Sequence, residues 1–390
     1  MVIISACFLI IVAFSYLLLI LYFTTGLFSL KPVIPGQENP HTRVSVIIPT
    51  RNEETNIPFL LEDLRNQDYP LHLMELIIAN DASTDHTGEL VRDFQNVHPG
   101  FPLKMINIEE DSRLASPKKH AVEVAISASS GKLILSTDAD TRRGKSWISS
   151  IVSYYEQYQP VMIIGPVAFH EEHSLFMKFQ SLEFLGLNGI TAASCGKGNP
   201  LMCNAANIAF EKQAFSKING FSGDEHFASG DDQFLMMRIR EKYGKHAVQF
   251  ILSEKAAVYT FARKHIGEFM LQRIRWVSKS RGYRDRFVIF TALITYLFNL
   301  SLLAGMASGI FVHGLLWISL WCLLLKALTD LPPVYFMTAF FHKKEILRYY
   351  PIVQVLNLVY VVFTGLAGNL VGFEWKGRKV PRQSTVHRDM

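Results

Sequence analysis

The stretch Val44–Glu53, with the sequence VSVIIPTRNE, decides how the middle of this chain folds. Its apolar first part, Val44–Pro49, predicts a β-strand, and the polar cluster Thr50–Glu53 follows directly. The next apolar residues are spaced i, i+3, i+4 and i+7, as on an amphipathic helix. They are Ile57, Leu60, Leu61 and Leu64. The region therefore begins as a strand followed by a helix.

Further strand-like runs follow, separated by segments of helical length: Leu76–Ala79, Leu103–Ile108, Leu133–Thr137 and Val161–Phe169. This alternation predicts an α/β domain with a mostly parallel sheet covered on both faces. Ligands of such sheets bind beyond the carboxyl ends of the strands. The polar clusters of this chain stand at those ends: Thr50–Glu53, Asn80-Asp81 and Asp138-Ala139-Asp140. The sequence therefore predicts a ligand site at that edge of the sheet.

Two common nucleotide-binding motifs are missing from the sequence, which restricts the kind of ligand. No Gly-x-Gly-x-x-Gly follows the first strand and no Walker loop is present, which argues against dinucleotide and P-loop sites. Asp138 and Asp140 can instead place one carboxylate on a hydrated divalent cation that bridges a diphosphate, with the other carboxylate free for a ribose hydroxyl. A plain polar turn is the alternative for this triplet taken alone.

Both ends of the chain are typical of membrane segments. Residues 1–30, 287–325 and 349–373 contain no charged side chain, and a helix of roughly 20 residues crosses a bilayer. A cleaved signal peptide fits residues 1–30 less well, because a basic n-region and a cleavage site are missing. We expect an N-terminal transmembrane helix and about three or four spans near the C-terminus.

The charge distribution supports membrane anchoring. Residues 43–286 contain 29 Lys+Arg and 29 Asp+Glu, so the net charge of +5 comes from the C-terminal part. Basic residues beside apolar segments indicate positive-inside anchoring, and we expect no nucleic-acid partner. The four cysteines lack a metal-type spacing, and no disulfide is expected.

Two more motifs complete an ordered set: Gly230-Asp231-Asp232 and Gln272-Arg273-Ile274-Arg275-Trp276. With Val44–Glu53, Asn80–Asp85 and Asp138-Ala139-Asp140 before them, residues of about Arg43 to Tyr283 resemble the family 2 glycosyltransferases. These are membrane-bound inverting enzymes with the glycosyltransferase A fold, which is Rossmann-like. The order of the five motifs is specific for the family, but not for its sugar or acceptor.

The resemblance implies roles at the donor end. Asp81 would contact the nucleobase, with Thr50 and Glu53 lining the nucleoside pocket. Lys118 would reach the nucleotide and Asp138 the ribose, and Asp140 would hold Mg²⁺ or Mn²⁺. The chain departs from the family pattern at Ala82, where relatives often have glycine, and at Asp231, where they have glutamate.

The resemblance also implies roles in catalysis. Inverting transfer needs a base for the acceptor hydroxyl, and Asp232 fits this role at the start of a helix predicted to end at Gly244. Capping of that helix is the alternative. On a second predicted helix, His265–Arg281, Arg275 would stabilise the leaving diphosphate. Trp276 would contact the acceptor or anchor the helix at the membrane interface. Gln272 and Arg273 complete the motif.

The expected domains are an N-terminal transmembrane helix (1–30), a linker (31–42), a catalytic domain (43–264), an interfacial helix (265–286), a C-terminal transmembrane region (287–373) and a basic tail (374–390). We expect a cytosolic catalytic domain, because nucleotide sugars are made in the cytosol. We also favour a cytosolic tail, with Pro332-Pro333 breaking the middle span or one segment re-entrant.

The expected activity is transfer of a sugar from a nucleotide-sugar, a UDP-hexose or UDP-N-acetylhexosamine, to a lipid-like or membrane-associated acceptor. Two alternatives remain open: a processive polysaccharide synthase, and a non-catalytic scaffold of an envelope glycan assembly. The small number of spans argues against a synthase channel. The intact acidic motifs argue against a scaffold. The oligomeric state stays open.

Overall fold

A computed structural model describes residues 2–33, 40–111, 116–223, 227, 230–370, 373–375 and 378–380. The strands are β1 Val44–Thr50, β2 Met74–Asp81, β3 Leu103–Ile108, β4 Leu133–Ser136, β5 Arg142–Arg143, β6 Met162–Ile164, β7 Val167–Phe169, β8 Ile208–Glu211, β9 Val248–Phe250, β10 Val258–Thr260, β11 Phe373–Trp375 and β12 Arg378–Val380. The helices are α1 Val2–Thr24, α2 Ile57–Arg65, α3 Thr87–Val97, α4 Pro117–Ala128, α5 Trp147–Tyr158, α6 Leu175–Gly196, α7 Lys212–Lys217, α8 Asp231–Tyr243, α9 Ile266–Ser278, α10 Arg286–Gly309, α11 His313–Phe340 and α12 Tyr350–Leu370.

The central sheet has seven strands in the order β3-β2-β1-β4-β8-β6-β9. Strands β1 to β4 run parallel, as the alternating pattern predicts, and β6 runs parallel to β9. Only β8 is antiparallel to its neighbours, β4 and β6. The mostly parallel α/β sheet is therefore confirmed. It brings the ends of β1, β2 and β4 to one edge.

The prediction of one strand over Val161–Phe169 is wrong. The run divides at Gly165-Pro166, so that β6 joins the large sheet while β7 joins a second sheet of order β5-β10-β7. Proline has no backbone N–H to donate to a sheet. Pro166 accepts through its carbonyl instead, from Val258 N at 3.0 Å and Asn207 Nδ2 at 2.9 Å. The second sheet forms one wall of the site described below.

The large sheet is covered on both faces. Ile47 packs into one apolar cluster with helices α4, α6 and α8, while its neighbours Val46 and Ile48 pack into another with α2 and α5. Full burial of such a side chain contributes roughly 1.5–3 kcal/mol. The predicted helix at Ile57 is confirmed as α2, with all four of its predicted apolar residues buried.

Helix α6 was not predicted as a single element. It is buried on most of its surface, so it lacks the polar face that reveals an amphipathic helix. It lies between the sheet and the apolar helices. Gly189 of α6 is so close to α11 that a Cβ there would lie 2.4 Å from the Pro333 carbonyl oxygen.

In the part of the chain that the structure describes, four segments are long and apolar enough to cross a membrane: Val2–Ser29, Arg286–Gly309, His313–Phe340 and Lys344–Gly368. The expected break at Pro332-Pro333 is wrong, because α11 continues through both prolines. Neighbouring helices allow apolar helices to tolerate proline, and here α6 packs against the pair. Of the predicted basic tail, 374–390, most residues lie outside the described part of the chain.

Candidate active site

The loops after β1 and β2 hold each other in place. Arg51, 9% exposed, donates from its NH1 group to the carbonyl oxygens of Asp81 (2.9 Å) and Ala82 (3.2 Å). Asn52 Oδ1 accepts from Thr84 N at 2.8 Å, and the Asn52 N–H donates to Ser83 Oγ at 3.1 Å. These bonds fix the carboxyl ends of two neighbouring strands, where Asp81 is buried.

Ala82 has a φ of 47°, in the left-handed region that favours glycine. This explains in physical terms why the position suits the glycine that the family pattern has there. Ala82 keeps the turn because its N–H donates to Ile108 O at 3.1 Å and its carbonyl accepts from Arg51.

One cavity of about 910 Å³ begins at this edge of the sheet and extends among the apolar helices. All site residues predicted from the sequence line it: Thr50, Glu53, Asp81, Lys118, Asp138, Asp140, Asp232, Gln272, Arg273, Arg275 and Trp276. The fold thus brings together residues that are up to 226 positions apart (276 − 50). Their individual roles stay predictions.

Lys118 balances two carboxylates at the donor end. Its Nζ lies 2.8 Å from Asp138 Oδ1 and 3.9 Å from Asp231 Oδ2. Burial by itself lowers the pKa of Lys118, but these carboxylates outweigh it and raise the pKa above its usual value. Lys118 is therefore charged at every physiological pH and is placed to meet an anionic ligand beside Asp138.

Asp140 lines the same cavity, and its carbonyl oxygen accepts from Thr260 Oγ1 at 3.4 Å. Among the described residues, no three His, Cys, Asp or Glu side chains come close enough to hold a cation by themselves. Mg²⁺ keeps several waters and is held by one or two carboxylates together with substrate phosphates. The carboxylates present fit such an ion, and they do not fit a cage made of protein ligands alone.

Asp232 is only 8% exposed and lies in the first turn of α8. Gly230, with a φ of 93°, occupies the N-cap position, so the helix begins one residue earlier than predicted. The Asp232 carboxylate accepts from Ala205 N (3.1 Å) and Gln233 N (2.7 Å), and Lys279 Nζ lies 3.4 Å away. It therefore faces the cavity rather than only capping the helix.

Arg273 is buried inside the protein, at 1% exposure. Its NH2 group lies 2.5 Å from Glu183 Oε2, and Tyr360 donates to Glu183 Oε1 at 3.2 Å. The guanidinium also lies over the ring of Trp276, 4.0 Å from its centroid. Arg273 thus links α9 to α6 and α12, and its guanidinium packs against the ring of Trp276.

Arg275, two residues further, points to the donor end. Burial lowers its pKa, as does the neighbouring charge of Arg263, while Asp138, Asp231 and Asp140 act in the opposite direction. Two arginines and three carboxylates therefore share one region of the cavity. Arginine is well suited to meet a diphosphate there.

The charged residues of the site that were not predicted as site residues include Lys279, Glu183 and Arg263. Lys279 follows Trp276 by three residues, on the same side of its helix, and this spacing could have indicated it. Glu183 is the only charged residue between Lys178 and Lys197, which is the signal of a buried, paired carboxylate. Asn207 of the loop Gly198–Asn207 is structural, since it bonds Pro166, Ala256 and Trp147.

Comparison with known families gives two matches. A sequence model described as glycosyl transferase family 2 matches residues 45–218. One described as glycosyl transferase family group 2 matches residues 133–342, more than half of the chain. The two matches together include every predicted site residue.

Individual relatives are more distant. The poly(ribitol-phosphate) beta-N-acetylglucosaminyltransferase of Staphylococcus aureus is 26% identical over 233 residues, 58% of this chain and 37% of that protein. The undecaprenyl-phosphate 4-deoxy-4-formamido-L-arabinose transferase of Yersinia enterocolitica is 30% identical over 145 residues, 36% of this chain and 41% of that protein. The chain thus aligns with less than half of the length of either relative.

Among solved structures, a mannosyltransferase from Pyrobaculum calidifontis in complex with GDP-Man and Mn²⁺ has a similar fold. The TM-score is 0.58 at 20% identity, and the match covers 94% of this chain and 99% of that one. The similarity extends beyond the sheet to nearly the whole chain, and it supports the glycosyltransferase A fold.

The buried pair Arg273–Glu183 makes a prediction about stability. Arg273→Met or Glu183→Leu alone leaves one buried charge without its partner, so each should lower the free energy of unfolding by roughly 3–5 kcal/mol. The double variant should recover a large part of that loss. Thermal unfolding of the detergent-solubilised protein, followed by tryptophan fluorescence, measures all three.

The exposed pair Arg65–Glu62 on α2 serves as the control, with side chains 41% and 49% exposed. Arg65→Met should cost at most about 1 kcal/mol. Losses at Arg273 and Glu183 that simply add in the double variant would show that the two side chains are not coupled.

Proposed function

The chain belongs to glycosyltransferase family 2, and on that basis we propose that this glycosyltransferase moves a sugar from a nucleotide-sugar to a lipid acceptor with inversion at the anomeric carbon. One observation carries the proposal. A single cavity joins the carboxylates at the strand ends to Asp232 and then continues among apolar helices. A polar donor and an acceptor with an apolar tail can therefore meet at Asp232.

At the donor end, we assign the nucleobase to Asp81, with Thr50 and Glu53 beside the nucleoside and Asp138 at the ribose. The proposed donor is a UDP-hexose or UDP-N-acetylhexosamine. The relative from Staphylococcus aureus, by its name an N-acetylglucosaminyltransferase, supports the second class. Asp140 would hold Mg²⁺ or Mn²⁺, which would neutralise charge on the diphosphate when bound.

In the transfer step, the acceptor oxygen forms a bond to the anomeric carbon while the bond from that carbon to the diphosphate oxygen breaks. The hydroxyl proton goes to the Asp232 carboxylate, and the nucleoside diphosphate leaves. Lys118 and Arg275 stabilise the negative charge that grows on the departing oxygen. Lys279, whose Nζ lies 3.4 Å from Asp232 Oδ1, orients that carboxylate.

Helix α9 contributes residues that we assign to ligand contact and one residue that positions them. We assign Trp276 to the acceptor, because its ring lines the cavity next to Phe184 of α6. Arg273 is a positioning residue that acts through Trp276 and Gln272, whose Oε1 accepts from Arg273 NH1 at 2.9 Å. Arg275 remains the group for the diphosphate.

The lipid acceptor is supported by the relative from Yersinia enterocolitica, whose name states undecaprenyl-phosphate. The four candidate spans among the described residues are few for a polymer channel, which disfavours a processive synthase. Label in insoluble polymer would reveal such an activity.

Asp232→Asn tests the base. It keeps the shape of the side chain, so turnover should fall by roughly 100- to 10,000-fold while binding of the nucleoside diphosphate changes little. Membranes incubated with labelled UDP- and GDP-sugars, followed by lipid extraction, give turnover and donor class together. Chelation should abolish both binding and transfer, and Mg²⁺ or Mn²⁺ should restore them.

Glu241→Gln is the matched control, because it removes the same charge from an exposed position of α8. Its turnover should equal that of the unaltered protein. Near-normal turnover of a folded Asp232→Asn variant would show that Asp232 is not the base. Full activity in the presence of chelator would show that transfer does not need a metal ion.

We further propose that α1, α10 and α11 cross the membrane, while α12 lies along the interface. The start of α12 is tied to the catalytic domain, since Lys343 donates to Phe169 O at 2.8 Å. Its middle reaches Glu183 through Tyr360, and near its end a Cβ on Gly368 would lie 2.7 Å from Val277 Cγ1 of α9. A crossing helix would move away from the domain by its full length.

The surface of α12 agrees with that placement. Its exposed apolar residues form one stripe: Ile352, Val355, Leu356, Val359, Phe363 and Leu366. Polar residues of its other face, such as Gln354 and Asn357, line the cavity. A helix with these two faces is suited to an interface. Strand β11 then lies beside α9, on the side of the catalytic domain.

With three crossings, the catalytic domain and the C-terminal tail share the cytosolic side, in agreement with the positive-inside rule. In a cysteine-free variant, a cysteine added after Met390 should react with an impermeant maleimide only in inside-out vesicles. A cysteine at Phe311, 86% exposed between α10 and α11, is the control and should react only in right-side-out vesicles. Labelling of both positions from one side would contradict this topology.

A further inference from the structure

Beyond Asp232, the cavity enters the space enclosed by α10, α11 and α12, where several polar side chains line it together with apolar ones. We refer to this part, lined by Thr291, Asn299, Lys326, Asp330, Gln354 and Asn357, as the inner chamber. Polar side chains in apolar helices are costly and mark functional sites unless they only hold helices together. The inner chamber contains groups of both kinds.

Lys326 and Asp330 are the charged residues of the inner chamber, and they neutralise each other. Lys326 Nζ lies 2.6 Å from Asp330 Oδ2 and donates to Gln354 Oε1 at 2.9 Å. Tyr16 of α1 donates to Asp330 Oδ1 at 2.7 Å. This network is complete and joins three helices, so it serves the structure as well as the chamber wall.

The same pairing holds from Asp232 inwards. Among the described residues that line this half of the cavity, each cation has a carboxylate partner: Lys279 with Asp232, Arg273 with Glu183, and Lys326 with Asp330. An anionic head group would need positive charge left over from such pairs. The balance of charge therefore favours a neutral occupant.

Among the described residues of the inner chamber, three side-chain oxygen atoms lack a hydrogen-bond partner. Asn299 is 2% exposed and Thr291 9%, yet Asn299 Oδ1 and Thr291 Oγ1 accept no hydrogen bond, and neither does Asn357 Oδ1. Buried polar atoms are nearly always paired, so these three indicate a missing partner. A ligand with hydroxyl groups would supply the donors.

Two apolar residues of α10, Ile289 and Leu293, line the cavity and are 43% and 51% exposed. An apolar chain can therefore leave the inner chamber beside these two residues. A ligand with a polar head group inside the chamber and an apolar tail outside it would be a lipid.

We propose that the inner chamber binds the head of a neutral, hydroxyl-bearing lipid, whose hydrocarbon tail leaves beside Ile289 and Leu293. The assignment rests on the proposed function, because it makes this lipid the acceptor that presents a hydroxyl to Asp232. It departs from a lipid phosphate, the acceptor class named for the relative from Yersinia enterocolitica.

The test uses the full chain in nanodiscs and a diacylglycerol that carries a photoactivatable diazirine in its acyl chain. Crosslinks should map to α10 around Ile289 and Leu293. Asn299→Leu with Asn357→Leu should reduce them at least tenfold and leave binding of nucleoside diphosphate unchanged. Ser301→Ala, on the same helix but outside the cavity, should crosslink like the unaltered protein.

If the double variant fails to bind nucleoside diphosphate, Thr291→Val, which keeps the shape of the side chain, takes its place with the same expected direction. If the asparagine or threonine variants crosslink as well as the unaltered protein, the inner chamber is not the binding site of the lipid head. Displacement of diacylglycerol by an equimolar polyprenyl phosphate would also overturn the proposal. Specific crosslinks without sugar transfer from any donor would support lipid binding in the inner chamber and contradict the proposed function.

Discussion

The burial of Arg273 against Glu183 is the constraint on which the arrangement of the molecule depends. A guanidinium inside the protein requires a carboxylate, and the carboxylate here belongs to α6, which lies between the sheet and the apolar helices. Tyr360 adds α12 to the same group. The pair therefore sets the position of α9, and with it Arg275, Trp276 and Lys279 on the cavity. Such a pair contributes more to a unique geometry than to net stability.

The charges along the cavity divide it into two chemical environments. At the strand ends, acidic groups gather beside Lys118, Arg263 and Arg275, which suits a cation and a diphosphate together. From Asp232 inwards the charges cancel in pairs, and what remains are unpaired hydrogen-bonding oxygens. The transition between the two environments is at Asp232, where the proposed transfer takes place. The proposed donor and the proposed acceptor therefore occupy chemically different parts of one cavity.

Much of this arrangement could be predicted from local sequence. Strands β1 to β4 are apolar over most of their length, and the polar residues that follow β1, β2 and β4 predicted the edge where the site lies, because parallel strands end together. The sequence could not reveal β8, since a short antiparallel strand depends on partners distant in the chain. Glu183 and the inner chamber were missed for a related reason. Their roles depend on residues that lie next to them only in the folded protein, as Arg273 lies next to Glu183. The break at Gly165-Pro166 did have a local signal, because proline cannot donate to a sheet. The two prolines of α11 misled because packing against α6 compensates for them.

Transfer with inversion requires that the acceptor oxygen attack the anomeric carbon directly, from the side opposite the diphosphate, with Asp232 as the proposed base. The configuration of the new glycosidic bond reports this most directly. Proton NMR of the anomeric hydrogen in the purified lipid product, made from a donor with an α-linked sugar, should show a β-linkage from the first turnover. A product with retained α-configuration would require a second displacement, and it would contradict the assignment of Asp232 and the direct meeting of donor and acceptor in one cavity.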